Sequence, residues 1–82
     1  MASKAQQAAL MVLRRQEKYL MQNVRNLGID KISDEISGIS GIVGEYGLEK
    51  KIVVEIVKSV YGLLMDGERY SEAATLAKKY RL

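Results

Sequence analysis

The chemistry open to this chain is narrow, because its 82 residues include no histidine and no cysteine. Those two side chains carry most nucleophilic catalysis, most proton transfer near neutral pH and nearly all zinc ligation. The carboxylates of Asp34 and Glu35 are adjacent in sequence, so on a helix they diverge and make a poor acid–base couple. The sequence therefore predicts a protein that is not an enzyme and uses no metal, no cofactor and no small-molecule substrate.

The basic side chains offer a different chemistry, which is the binding of phosphate groups. Arg14, Lys18 and Arg25 fall on one side of a predicted helix with Arg15 beside them, and phosphate contacts need only such a row. Two lysines open a later predicted helix, where free backbone amides favour anions. The candidate nucleic-acid contacts are Arg14, Arg15, Lys18, Arg25, Lys50 and Lys51. The alternative for each of them is a solvated surface cation.

Composition indicates one small folded domain. Hydrophobic residues are 48% and charged residues 28% of the chain, which is typical of a folded protein rather than a disordered one. Residues 1–28 hold five basic residues and one acidic residue, whereas residues 29–48 hold four acidic residues and one basic residue. These segments can pair with each other or leave a basic face free. The sequence shows no signal-peptide pattern, no apolar run long enough to span a membrane and no cysteine. We therefore expect a cytoplasmic protein without membrane contact.

Apolar residues recur at helical spacing along the whole chain, which predicts an all-α fold. We expect a small antiparallel bundle of about four helices with a long N-terminal helix, covering residues 4–27, 31–46, 49–66 and 69–80 in a single domain. Ser3 and Asp30 are the predicted N-caps of the first two helices. Gly28 and Gly47 are predicted to end these helices in the left-handed conformation, and Asp66-Gly67 is the next turn.

The last two helices differ in how much of their surface is apolar. The third is apolar on most of its circumference and is expected at the centre, although its β-branched residues also allow a strand. We prefer a helix because its charged residues recur at helical spacing. The fourth is expected to turn six residues inward: Tyr70, Ala73, Ala74, Leu76, Ala77 and Tyr80.

An apolar stripe on the first helix is the predicted partner interface. Its members follow a 3-4 spacing close to a heptad seam: Leu10, Leu13, Glu17, Leu20, Val24 and Leu27. The first helix should be about 36 Å long and the second about 24 Å. Part of the stripe would then overhang the other helices, and a second copy or another protein would cover it.

Residues 37–44 are the least helix-like segment of the chain. Gly38, Gly41 and Gly44 each cost a helix up to about 1 kcal/mol relative to alanine. Small residues at this spacing also let another backbone approach closely. Three interpretations stay open: close packing inside the fold, close packing against a partner, or a segment that is partly loop.

Three short stretches resemble known families. Residues 76–82, and residues 42–48 together with Val53 and Ile56, resemble the first helix and turn of the helix-turn-helix DNA-binding motif. Residues 67–73 resemble the helix junction of tetratricopeptide-type repeats, and Gly47 and Arg81 are separated by the 34 residues of that repeat. Each resemblance covers less than half of the chain, which is assigned to neither family.

Two hypotheses of different classes follow. The first is a non-enzymatic protein-interaction module that uses the stripe of the first helix: a small accessory subunit, an adaptor or a self-assembling structural protein. The alternative is a nucleic-acid-binding protein that uses the basic residues of the first helix and of the C-terminal segment, Lys78, Lys79 and Arg81. A salt titration against DNA or RNA separates them.

Overall fold

The computed structural model describes residues 3–82. Within this range the chain is all-α, and it contains no strand. The helices are α1 (Lys4–Asn23), α2 (Ile29–Tyr46), α3 (Lys51–Asp66) and α4 (Tyr70–Tyr80), and a 3-10 turn (Val24–Asn26) follows α1. The predicted helical bundle is confirmed, and the third segment is a helix rather than a strand.

The first connection differs from the prediction. Ser3 caps α1 as expected, since its Oγ accepts from the N–H of Gln6 and the Gln6 side chain accepts from the N–H of Ser3. The α-helix then ends at Asn23 and tightens into the 3-10 turn. Gly28 is extended, with φ −75° and ψ 165°, and occupies the N-cap of α2. The predictions of a left-handed Gly28 and of an Asp30 N-cap are therefore wrong.

The glycine-containing segment is regular helix, so the loop interpretation is wrong. α2 continues to Tyr46 and ends as predicted at Gly47, which is left-handed at φ +64°. The N–H of Leu48 closes the end by donating to the carbonyl of Val43 at 2.9 Å. Ile32, Ile36, Ile39 and Val43 of α2 are buried against the rest of the chain, and this burial outweighs the weak helix propensity of the glycines.

The core is built from one side of each α-helix and from the 3-10 turn. α3 lies at its centre, packing against α2, α4 and the 3-10 turn. Ala73 and Leu76 of α4 face inward as predicted, but Tyr70 is 56% exposed and Ala74 is exposed, so those two positions were wrong. The buried core residues are Ala9, Leu13, Leu20, Val24, Ile32, Ile36, Ile39, Val43, Ile56, Val57, Val60, Leu64, Ala73 and Leu76.

α1 and α2 form a hairpin of nearly equal arms. They contain 20 and 18 residues, which corresponds to about 30 and 27 Å. The Gln6 side chain near the start of α1 donates to the carbonyl of Tyr46 at the end of α2, at 3.0 Å. The expectation that α1 overhangs the bundle is therefore wrong, because α1 is shorter and α2 longer than the spacing indicated.

Candidate functional site

The stripe predicted as a partner interface lies mostly inside the fold. Leu13 and Leu20 have no exposed surface and Val24 is 2% exposed, and all three belong to the hydrophobic core that the helices of the chain form together. Leu10, Glu17 and Leu27 are partly exposed. In the folded chain the stripe is core rather than free surface, and the placement of an interface on it is corrected accordingly.

The side of α1 next to α2, beside the buried stripe, carries exposed apolar side chains that the spacing analysis missed. Met11 is 64%, Val12 49% and Tyr19 48% exposed, and Ala5 and Ala8 are exposed near them. We call these five residues the outer apolar face of α1. The signal was present in the sequence, because Met11, Val12 and Tyr19 are apolar residues that do not fit the 3-4 stripe.

An open groove connects this face with α2. It has a volume of about 350 Å³ and runs between the N-terminal half of α1 and the C-terminal half of α2. Its walls are mainly apolar and small, and they are formed by Ala5, Ala8, Ala9, Val12, Ile42, Glu45 and Tyr46. Such a surface can bind another apolar surface, but it presents no buried polar group that could orient a reacting molecule.

The six predicted nucleic-acid contacts do not form one continuous patch. Arg14 is paired with Glu17 at 2.7 Å, and Lys51 is 3.3 Å from Glu49. Arg14 and Lys51 line a common groove between α1 and α3, where Glu49 and Glu55 offset their charges. Lys50 lies on another groove, between α2 and α3.

The other three predicted contacts, on α1 and the 3-10 turn, have no ion-pair partner within residues 3–82. Arg15, Lys18 and Arg25 are exposed. Their charges are therefore available to an acidic surface or to phosphate groups.

The outer side of α2 has the opposite charge. Asp30, Asp34 and Glu45 are exposed, and none of them has an ion-pair partner in the described part of the chain. Gly41 lies on the same side and Gly44 lies in the groove against α3, and a Cβ added at either would meet nothing within 4 Å. Nothing inside this fold requires these two residues to be glycine, so the interpretation of close internal packing is wrong at both positions.

A polar clamp joins the ends of three elements. The Arg69 guanidinium donates to both carboxylate oxygens of Glu72, at 2.6 and 2.8 Å, and to the carbonyls of Val24 and Leu27, both at 2.6 Å. The side-chain hydrogen bond between the partners raises the pKa of Arg69 and lowers the pKa of Glu72, and the backbone N–H of Ile29 at the start of α2 lowers the pKa of Glu72 a little further. The clamp ties the start of α4 to the backbone of the connection between α1 and α2, so we assign it a structural role rather than a role in binding.

Comparison with known proteins supplies no family for this arrangement. No protein-family model, curated protein or solved structure matches the chain. Residues 3–82 contain no group of three or more acidic side chains placed to hold a metal ion, and no helix among them is long and apolar enough to cross a membrane. The function must therefore be argued from the surface of the chain itself.

Proposed function

We propose that this chain is a non-enzymatic protein-interaction module, and that it binds its partner through the outer apolar face of α1. The observation that carries the proposal is the exposure of Met11, Val12 and Tyr19 on α1, beside the apolar groove that α1 forms with α2. Single exposed apolar residues are ordinary, but a group that continues into an apolar groove is typical of an interaction surface.

The charges around this face support a protein partner of a particular kind. Arg15 and Lys18 border the apolar residues and have no acidic neighbour bound to them. An interface with an apolar centre and a charged rim gains affinity from the centre and orientation from the rim. The partner surface should therefore combine apolar or small residues with carboxylates.

Replacing one exposed valine tests the proposal against a matched control. Val12 is 49% exposed on the outer face of α1, and Val54 is 47% exposed on α3. The Val12→Asp chain should lose associated protein, either a second copy or a copurifying partner from the native host, because a carboxylate in a desolvated centre is costly. The Val54→Asp chain should keep it, and circular dichroism should show both chains helical. Equal association by both variants would overturn the proposal.

Nucleic-acid binding is the second candidate, favoured by the unpaired charges of Arg15, Lys18 and Arg25. Phosphate contacts carry no sequence information, so such binding would depend weakly on sequence. Replacing Arg15 and Lys18 by alanine should lower the slope of log affinity against log salt by about 1–2. A chain that is not retained on DNA or RNA at about 50 mM salt, where such binding is strong, would exclude this candidate.

A further inference from the structure

One wall of the groove between α1 and α2 has a basic rim. Ala8 and Val12 belong to this wall, which is formed by α1. Lys4 precedes Ala8 by one helical turn and Arg15 follows Val12 by one turn, so both cations lie beside the wall. Both are exposed, and neither forms an ion pair within residues 3–82. We call Lys4 and Arg15 the basic rim.

The wall formed by α2 has an acidic rim. Glu45 is part of this wall, and Asp34 lies eleven residues, or about three turns, earlier on the same side of the helix. Both are exposed, and neither has an ion-pair partner in the described part of the chain. We call Asp34 and Glu45 the acidic rim. The two rims do not neutralise each other, so their charges remain available to a molecule that lies between them.

The surface between the rims is apolar and already formed in the isolated chain. Ala5, Ala8 and Val12 are exposed on the α1 side of the groove. The hydrogen bond from the Gln6 side chain to the carbonyl of Tyr46, at 3.0 Å, ties the two helices together at this end. A partner therefore meets an apolar centre and two charged rims without having to open the fold.

A helix suits this groove better than an extended segment does. Both walls are regular α-helix, and the backbone groups in the middle of α1 and α2 are paired within those helices. An extended segment would find no backbone partner there and would leave its own N–H and C=O groups unpaired, whereas a helix pairs its own. Docking of an amphipathic helix by its apolar side is an established mode of recognition for such a groove.

We propose that the partner contributes an amphipathic helix to this groove, with carboxylates on the flank above the basic rim and cations on the flank above the acidic rim. The inference rests on the proposed function and specifies the chemistry of the partner. A polyanion such as a nucleic acid would pair with Lys4 and Arg15 but would be repelled by Asp34 and Glu45. A helix with charges of one sign gains at one rim and loses at the other, so only a helix with both signs pairs with both rims.

Three synthetic peptides test this chemistry by fluorescence anisotropy. Each has about 21 residues, or about 31 Å as a helix, and each carries the same apolar ridge of leucine and alanine at the first and fourth positions of a heptad. The mixed peptide has glutamate on one flank of the ridge and lysine on the other, whereas the two single-sign peptides have only glutamate or only lysine. The wild-type chain should bind the mixed peptide about tenfold more tightly than either single-sign peptide, because each of those brings like charges together at one rim.

Reversing one rim should change which peptide binds most tightly. The double variant Lys4→Glu, Arg15→Glu has two acidic rims, so the all-lysine peptide should become its tightest ligand. The double variant Asp34→Lys, Glu45→Lys has two basic rims, so the all-glutamate peptide should become its tightest ligand. Two reversals of opposite sign thus predict two opposite changes of preference at one groove.

Two controls separate the groove from net charge and from folding. The double variant Lys58→Glu, Lys78→Glu reverses two exposed cations on α3 and α4. It changes the net charge as much as reversal of the basic rim does, and it should keep the wild-type order of the three peptides. Val12→Asp should weaken binding of the mixed peptide about tenfold, because the carboxylate lies in the desolvated centre. Circular dichroism should show every variant helical.

The outcomes separate this inference from the proposed function. A wild-type chain that binds none of the peptides, or that prefers a single-sign peptide, overturns the proposed chemistry of the partner. A preference that changes as much in the Lys58→Glu, Lys78→Glu chain as in the rim variants also overturns it, and so does a wild-type dimer that Val12→Asp dissociates. In each case the proposed function survives if associated protein is lost from Val12→Asp and kept by Val54→Asp. A preference that follows the signs of the rims supports the inference.

Discussion

The guanidinium of Arg69 and the carboxylate of Glu72 form a two-pronged hydrogen bond, at 2.6 and 2.8 Å, that stands between the first connection and the start of α4. The same guanidinium satisfies two carbonyls that lie 42 and 45 residues earlier in the chain. One planar donor group therefore fixes the 3-10 turn, the beginning of α2 and the first turn of α4 relative to one another.

Removing the guanidinium should destabilise the fold more than its surface position suggests. We expect Arg69→Met to lower the free energy of unfolding by about 1–3 kcal/mol, because the carbonyls of Val24 and Leu27 lose their donor. Arg69→Lys should retain only part of the lost stability, since an ammonium group cannot reproduce the planar set of donors of a guanidinium. Urea denaturation measures both. Lys58→Met is the control for loss of an exposed cation, and an equal effect there would contradict the role of the clamp.

The clamp should also make stability depend on acid pH. Its hydrogen bond lowers the pKa of Glu72 in the folded chain, so the stabilisation is present above the ordinary glutamate pKa of about 4.3. It is lost as the pH falls through the lower, folded-state value. In urea melts, wild type should exceed Glu72→Gln in stability at about pH 7, and the difference should shrink toward about pH 3. A difference that does not change with pH would contradict this assignment.

Glu68 provides a test of backbone strain in the connection between α3 and α4. It is left-handed at φ +60°, whereas the neighbouring Gly67 is at φ −84°. Glu68→Gly should raise the free energy of unfolding by about 0.5–1 kcal/mol, because glycine adopts this conformation without steric cost. Gly67→Ala should have a small effect, since its Cβ would meet the Leu63 carbonyl only at 3.4 Å. Thermal melts that reverse this order would show that the strain lies at Gly67.

The sequence predicted a helix end correctly where the residues that determine it are neighbours in the chain. The end of α2 at Gly47 and Leu48 needs only a left-handed residue and a following apolar one, and both were visible in the sequence. The prediction for the connection between α1 and α2 was wrong because two of its backbone carbonyls accept hydrogen bonds from Arg69, which is far away in sequence. No spacing rule for nearby residues identifies such a partner.

The candidate site was harder to predict than the fold. A 3-4 stripe identifies a side of a helix that becomes buried, but it does not say whether the cover comes from the same chain or from another one. For α1 the cover comes from the rest of the same chain, and Leu20 is core. The interaction surface is then what remains exposed, and Met11 becomes recognisable only when the buried side is known.

Two glycines at the C-terminal end of α2 give the last prediction, because replacing each by alanine should change the free energy of unfolding in opposite directions. Gly41→Ala should raise the free energy of unfolding of the monomer by up to about 1 kcal/mol, since alanine favours helix and the added Cβ meets no atom. Gly47→Ala should lower it by about 1 kcal/mol or more, because that residue is left-handed at φ +64°.

Urea denaturation of both variants, beside wild type at the same protein concentration, measures the two changes. Loss of monomer stability in Gly41→Ala would instead indicate that this glycine is needed inside the fold.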